Sequence, residues 1–577
     1  MDWDALRDAA LVLPPPSPLP PPQALPRAHL LALHAQLAQQ ERQLDREGQV
    51  RTRKLVVGPG KHFSSSSSTA SLRPCQLDEP DLVLDKPATG RILVVRILVA
   101  PIRTAAVQLV VEDCTGRAAP LSIYHVPARY EQQDLDELWP VGAIYGIKEP
   151  LLRSLRSGFH IRVDSPSDLV RLFPSSPLLR QLPSPFPRSP AHALDGKPPS
   201  ALKDAGNAAV KAARWIRARE AYEWALEALE CVGAGASAQG ELGATLRSNL
   251  ALVYLKLDLP AAARHIAERA LALVPAPAPS PTGDAGEAPS SLPLRAKLTY
   301  RLALAHYALE AYPPCLSALA PLLALAPPDP LAASLADRAR ARADEAAHGP
   351  SPATLRALFR GAPAPPGIDL ADYASPLVAV RESPTDPARG RALVALGPIP
   401  RGTLVACLKP VVVAEGVVTF NAFTVEDLAS SLPGARASSP TGDADADADP
   451  SSSDAEGFHA LTALYPPLAS ALNHSCLPTA SYTFLGTLFL LRARVDLAPG
   501  DELTDSYADA TDPLEVRERK LAPHGFVCAC GLHWIALARE IEAGQAGVEL
   551  FELRYGAFAR RHGLDLEQGA TVMALSD

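Results

Sequence analysis

Asn473-His474-Ser475-Cys476-Leu477-Pro478, Gly500-Asp501-Glu502-Leu503-Thr504-Asp505-Ser506-Tyr507 and Phe526-Val527-Cys528-Ala529-Cys530-Gly531-Leu532-His533 follow one another within the stretch Leu472 to His533. The first segment sets an amide, an imidazole and a thiol ahead of a proline. The second runs from a glycine turn to a tyrosine. The third spaces two cysteines and a histidine as Cys-x-Cys-x-x-His. Each is a weak signal alone; their order and spacing make them informative together. Working outward from this stretch, the rest of the chain divides by composition.

A chain of 577 residues is too long for one core, and three or four domains are expected. Apolar residues make up 47% and charged residues 20%, an ordinary balance for a soluble globular protein. The 59 prolines exceed the usual share and cluster between patterned segments, so much of the excess reads as linker. Net charge is -8 with no long basic run, which argues against an electrostatic grip on nucleic acid. Eight cysteines in this length are no disulfide framework, and only Cys476, Cys528 and Cys530 form a plausible cluster. A reducing compartment fits. The start, Met1-Asp2-Trp3-Asp4, lacks the basic and apolar regions of a secretory signal. No stretch has the length of apolar sequence that a membrane span needs. An intracellular protein of nucleus or cytoplasm, with no membrane association, is the expectation.

Residues 1–84 read as low-complexity, with one helix in Arg27 to Val50, whose leucines fall mostly on one face, and a serine tract at Ser64 to Ser68. Residues 86–175 change character. Strands are expected at Arg91 to Ala100, Val107 to Glu112, Leu121 to His125, Ala143 to Lys148 and Phe159 to Val163, with a helix at Glu131 to Leu138. Five strands with a helix between the third and fourth resemble an OB-like β-barrel. Charges of both signs are mixed there and few aromatics are available for base stacking, so a structural or docking module is preferred to an oligonucleotide binder.

A proline- and serine-rich linker, Pro174 to Pro199, precedes a repeat. Lys203 to Leu226, Asn249 to Pro275 and Leu298 to Leu325 align as three units with small residues at Ala218, Ala225, Ala251, Ala263 and Ala270. This resembles tetratricopeptide (TPR) repeats over residues 200–347, an α-helical solenoid of stacked helix pairs that binds peptides or packs on neighbours. From Tyr373 the pattern turns to short strands, through Gly390-Arg391-Ala392, Phe420-Asn421-Ala422-Phe423 and an acidic insert at 436–456.

Residues 372–533 as a whole resemble a SET domain with its post-SET element, the β-rich catalytic module of protein lysine methyltransferases, similar to the SET-and-MYND branch without its MYND finger. Multidomain α+β is therefore the fold class. The resemblance implies that S-adenosyl-L-methionine is held by Gly390, Arg391, Asn421, Asn473, His474, Tyr507 and Phe526. It implies a substrate-lysine channel walled by Phe423, Tyr507 and Phe526, with Tyr507 catalytic. Where the family has a second glycine, Ala392 stands, tolerated only if φ is negative there. Thr479 stands where the family usually has asparagine. His533 stands in place of a post-SET cysteine, so Cys476, Cys528, Cys530 and His533 would form a Cys₃His structural Zn²⁺ site; otherwise His533 is merely exposed and the site is lost. The segment from Leu464 to Leu472 reads as a helix, and residues 534–577 as C-terminal helices.

Methylation of a protein lysine follows as the expected activity, histone or not, with a peptide partner on the repeats. An inactive SET and TPR scaffold and an OB-type nucleic-acid binder are the rivals.

Overall fold

A continuous run of β-branched and apolar residues is stable as a strand only where both of its faces are covered. Arg91–Ile97 (RILVVRI) is such a run. In a computed structural model of the chain it is a strand, with all residues after Arg91 buried. The structure describes residues 25–46, 63–80, 82–127, 129–155, 158–186, 191–232, 236–274, 292–324, 329–361, 369–385, 389–415, 423–424, 461–485, 487–524, 526, 528, 530 and 532–533. The chain divides into two units, Met1–Ala332 and Ala333–Asp577.

Among the described residues, the first unit begins with helix α1 (Arg27–Arg46). A nine-stranded sheet follows: β1 (Arg73–Cys75), β2 (Arg91–Ile97), β3 (Ile102–Arg103), β4 (Val107–Glu112), β5 (Ala118–Ile123), β6 (Ile144–Lys148), β7 (Leu151–Leu155), β8 (Gly158–Val163) and β9 (Leu169–Leu172). Helix α2 (Gln132–Leu138) lies between β5 and β6. The main path is β7-β8-β5-β4-β2-β6-β9, and β5 pairs with β8 in parallel. The five expected strands and the helix are all present, but the path is open. Among the described residues no ladder joins its ends, and β6 meets β7 through Glu149 and Pro150 of the chain itself. The expected OB-like barrel is therefore not confirmed, and an open sheet stands in its place. Four strands beyond the expected five, β1, β3, β7 and β9, enlarge it. The Glu112 carboxylate, buried on this sheet, accepts from Arg96 and, at 3.0 Å, from Arg27 of α1. Leu30 of α1 packs with Leu98, Val110 and Ala118.

Three helix pairs follow in the same unit: α3 (Pro199–Lys211) with α4 (Trp215–Val232), α5 (Ala236–Lys256) with α6 (Pro260–Leu273), and α7 (Leu292–Ala308) with α8 (Tyr312–Leu323). Small residues sit where the helices approach. Ala218, Ala225, Ala251, Ala263 and Ala270 are all fully buried. Gly206 shows why the first repeat begins Gly-Asn. A Cβ there would lie 2.4 Å from the ring of Tyr222, so only glycine lets that ring pack on α3. The Tyr222 hydroxyl then donates to Asn207 Oδ1 at 2.8 Å.

The second unit carries the end of helix α9 (Pro330–His348) and helix α10 (Pro352–Gly361). Three small sheets follow. One runs β10 (Tyr373–Ala374), β13 (Leu404–Leu408), β19 (Leu488–Ala493), β18 (Ala480–Leu485). A second runs β11 (Val378–Glu382), β12 (Arg391–Ala395), β20 (Glu502–Asp505), β17 (Asn473–His474). The third joins β14 (Val412–Glu415), β16 (Leu461–Leu464) and β15 (Phe423–Thr424). Leu393, Val405, Phe489, Leu491 and Leu503 fill one core between them. The helix expected over Leu464 to Leu472 does not form. Leu461–Leu464 is a strand, and Pro466 and Pro467 leave only a short 3₁₀ turn at Ala469–Ala471. A proline pair has no amide hydrogens to continue a helical ladder, and the first of the two is pushed out of the α region by the second. The insert 436–456 and residues 534–577 lie outside the described residues.

Candidate active site and cysteine–histidine cluster

The site is built where β17 lies parallel to β20, with Asn473 opposite Thr504 and His474 opposite Asp505. A two-residue strand has little pairing of its own, so side chains complete the seam. Thr479 supplies much of this. Its hydroxyl donates to the Glu502 carbonyl at 2.8 Å and accepts from the Thr504 amide at 2.9 Å. Its own amide donates to Thr504 Oγ1 at 3.1 Å. The residue that departs from the family pattern is therefore fully used.

Asn473 donates through Nδ2 to Glu502 Oε1 at 2.6 Å and to the Arg391 carbonyl at 3.3 Å. Its amide thereby spans the seam to β12 and β20, while among the described residues its Oδ1 takes no partner. Glu502 is 6% exposed and also accepts from the hydroxyls of Ser383 at 2.9 Å and Thr385 at 2.7 Å. Sequence reading did not single out Glu502. An acidic residue two places after a turn glycine reads as surface, and only the tertiary fold reveals its three donors. Arg389 was missed for the same reason. Its guanidinium donates to the His474 carbonyl and lies 5.1 Å from the centre of the Phe526 ring.

Gly390 takes φ +75° and has nothing within 4 Å of where a Cβ would stand, leaving open space over the start of β12. Ala392, the residue in place of a second glycine, is not among the positive-φ positions and is fully buried in β12, so its methyl is accommodated. Arg391 is exposed and pairs in register with Glu382. Asn421 lies outside the described residues, as does the side chain of Phe423.

Tyr507 follows β20. Its hydroxyl donates to the Leu472 carbonyl at 2.5 Å, and its amide donates to His474 Nδ1 at 2.9 Å. Its ring centre lies 5.3 Å from that of His474, 4.9 Å from that of His524 and 6.3 Å from that of Phe526. Burial pushes the Tyr507 phenol above its ordinary value, keeping it protonated. Burial lowers His474 to about 4 and raises the neighbouring Asp505 to about 6. A cleft of about 470 Å³ opens beside Tyr507, lined by Leu477, Pro478, Arg494, Ser506 and Lys520 among others.

Behind Tyr507, the structure brings together Cys476, Cys528, Cys530 and His533. Their sulfur and ring-nitrogen atoms all lie within 4.8 Å of one another. His533 Nδ1 is 3.1 Å from Cys476 Sγ and 3.9 Å from Cys530 Sγ. His533 is 1% exposed, which excludes the reading of an exposed histidine at that position. Hydrogen bonds from Cys476 and Cys528 pull the Cys530 thiol far down. Burial opposes charge on His533, yet its contacts with Cys476 and Cys530 raise it to about 9. Three sulfurs and one imidazole nitrogen at this spacing suit a tetrahedral Zn²⁺, whose bonds of about 2.0–2.3 Å set ligand atoms roughly 3.5–4 Å apart. Leu521, Phe526 and Leu532 pack around the group.

Residues 390–508 match the SET domain family, so the chain carries that domain. It is also similar, at 25% identity over 523 residues, to a protein named Methyltransferase from Gibberella zeae, covering 78% of this chain and 67% of the relative. N-lysine methyltransferase SMYD2 of Rattus norvegicus is 40% identical and that of Homo sapiens 38% identical, each over 78 residues. Those matches cover 13% of this chain and span only 18% of each SMYD2 protein. Among solved structures, the Arabidopsis OM64 TPR domain aligns at 22% identity over 25% of this chain and 93% of its own, with a TM-score of 0.19.

Proposed function

We propose that this SET-domain chain transfers a methyl group from S-adenosyl-L-methionine to the side-chain amine of a protein lysine. The observation that carries the reading is the convergence of Asn473, His474 and Tyr507 on one parallel seam inside the matched domain, with Asn473 reaching the carbonyl of Arg391, the residue after Gly390. The lysine acceptor is supported by the similarity to SMYD2 over 78 residues.

The open space at Gly390 and the Oδ1 of Asn473, without a partner among the described residues, fit a ligand that offers both an amine and a purine edge. S-adenosyl-L-methionine, when bound, supplies a methyl group on a sulfonium that is open to in-line displacement. The chain's own contribution is alignment and desolvation. An attacking lysine must be neutral, and an apolar channel lowers its pKa by disfavouring the ammonium. Phe526, half-buried beside Tyr507, is a candidate wall, and aromatic walls tolerate the cationic product. The Tyr507 hydroxyl has its one proton committed to Leu472. Its lone pairs are left to accept from the amine or from methyl C–H groups. Cys476, Cys528, Cys530 and His533 would hold Zn²⁺ as a structural ion, tying the segment that bears Phe526 to the β17 end. The helix pairs in the first unit are assigned to peptide docking.

The test is twofold. Calorimetry with S-adenosyl-L-methionine should give one site per chain. Radiolabelled cofactor with a library of lysine-bearing proteins should then label lysine. Cofactor binding without transfer to any protein would overturn the lysine acceptor, and no cofactor binding at all would overturn the proposal and leave the scaffold reading.

A further inference from the structure

We propose that the His474 side chain is a positioning residue that couples the cysteine–histidine cluster to the backbone of Tyr507, through one hydrogen bond from each of its ring nitrogens. The inference deepens the reading of Tyr507 as the residue that orients the reaction, and rests on it for its kinetic consequence alone.

The geometry assigns the ring's tautomer. The Tyr507 amide can only donate, and it lies 2.9 Å from His474 Nδ1. Nδ1 must therefore accept and carries no hydrogen. A neutral imidazole with a bare Nδ1 has its hydrogen on Nε2. Nε2 faces Cys476 Sγ at 3.2 Å. The contact is thus an N–H donor aimed at a sulfur. An imidazolium is excluded, because its Nδ1–H would point into the Tyr507 N–H. The same clash excludes His474 as a metal ligand through a bare Nε2, since the hydrogen would then sit on Nδ1.

Two histidines therefore meet Cys476 in different roles. His533 Nδ1 lies near two sulfurs, those of Cys476 and Cys530, and belongs to the donor set. His474 Nε2 contacts Cys476 from outside that set. A donor to a ligating thiolate steadies its charge and its orientation, and such outer partners typically change metal affinity or activity by about 10- to 100-fold. Here the outer partner has a second task. His474 is 1% exposed, pinned in register against Asp505, and its carbonyl is held by Arg389. The ring cannot turn without breaking one of its two bonds. A shift of Cys476 is therefore passed to the Tyr507 amide, and so to the hydroxyl that Tyr507 anchors on Leu472. The seam needs this link because β17 is only two residues long.

Three substitutions separate the two bonds. His474→Asn keeps an acceptor near the Nδ1 position and loses the donor to sulfur. His474→Gln places an amide N–H near the Nε2 position and loses the acceptor for Tyr507. His474→Phe removes both. Zinc affinity of the full chain, by competition with a chromophoric chelator, is expected to fall about 10- to 100-fold in His474→Phe and His474→Asn, and to stay within about threefold of wild type in His474→Gln. The kcat for methyl transfer is expected to fall in His474→Gln and His474→Phe, and less in His474→Asn. Long-range nitrogen–proton NMR of the zinc-loaded wild type should show a hydrogen on Nε2 and none on Nδ1. A ring protonated at Nδ1 overturns the proposal, as does unchanged zinc affinity in a folded His474→Asn. If wild type transfers no methyl, the catalytic reading fails, while the NMR and zinc measurements still decide the link.

Discussion

The Asn473 amide donates to Glu502 at 2.6 Å, and that carboxylate also accepts from Ser383 and Thr385. One buried acid thereby holds together three separate pieces of chain: the β11 exit, β17 and β20. Glu502→Ala would remove the shared acceptor from three donors, of which the Ser383 and Thr385 hydroxyls still face each other at 3.0 Å. At about 1–3 kcal/mol for each buried group left unpaired, with some relieved by water, a total loss of roughly 3 kcal/mol is expected. Urea unfolding should show it as a lower midpoint, and cofactor affinity should fall with it because Asn473 is no longer held. Glu502→Gln keeps one acceptor oxygen and should lose less. An unchanged midpoint in Glu502→Ala would show that the hub is dispensable.

Tyr507→Phe removes the hydroxyl and leaves the ring among His474, His524 and Phe526. The fold loses one hydrogen bond to the Leu472 carbonyl, worth about 1 kcal/mol. Methyl transfer should fall by about a hundredfold or more, since alignment of the reacting groups carries the rate. Cofactor affinity should change little. Single-turnover assays alongside calorimetry separate the two, and full turnover in the folded variant would remove Tyr507 from its role.

Much of this arrangement was legible in the sequence because it depends on residue type and order. The Cys-x-Cys-x-x-His spacing and the Ser-Cys-x-Pro turn anticipate the four atoms now found within 4.8 Å. The strands of the first unit were visible as β-branched runs. Two kinds of feature were not. Local chemistry was misjudged at Tyr465-Pro466-Pro467, within the stretch Leu464 to Leu472 read as a helix, which the prolines forbid. Partnerships formed only by tertiary packing were invisible. Glu502, Arg389 and the hydroxyl of Thr479 look like surface polar residues until β20 is laid against β17. The open sheet of the first unit is a mixed case. Pro150 marks the break between β6 and β7, but the pairing of β7 with β8 and of β9 with β6 forms only in the tertiary fold.

Asp505 yields a pH dependence. Burial raises its carboxyl from 3.8 to about 6. Between these values the folded chain holds a proton that the unfolded chain has released. Stability from this group is therefore full below about pH 4, falls as pH rises towards 6, and changes no further above it. Asp505→Asn cannot ionise, so its stability relative to wild type should grow across that window and then level off. At 1.36 kcal/mol per unit the ceiling is about 3 kcal/mol. Urea midpoints for both proteins at several pH values test this, and a constant difference across the window would refute it.

The last prediction concerns the metal. Cys476 follows β17, while Cys528, Cys530 and His533 follow the helix Leu514–Leu521, so an ion among them would clamp two sequence-distant segments. Purified protein is expected to hold one Zn²⁺ per chain. Cys528→Ser removes a thiolate from a group in which every donor is within 4.8 Å of the rest, and should lose the metal. Losing the clamp should also lower transfer, because Phe526 sits in the segment it holds. His533→Cys exchanges one competent ligand for another and should keep the metal. The ligands bind as thiolates and neutral imidazole, so protons compete with the ion. His533 is raised to about 9 by its sulfur neighbours, and metal uptake must displace that proton. Zinc release followed with a chromophoric chelator should therefore rise as pH falls, and His533→Cys should shift its midpoint. Zinc-free protein that is folded, with Cys476 and Cys528 open to alkylation, would show that the four residues form a thiol core and not a metal site.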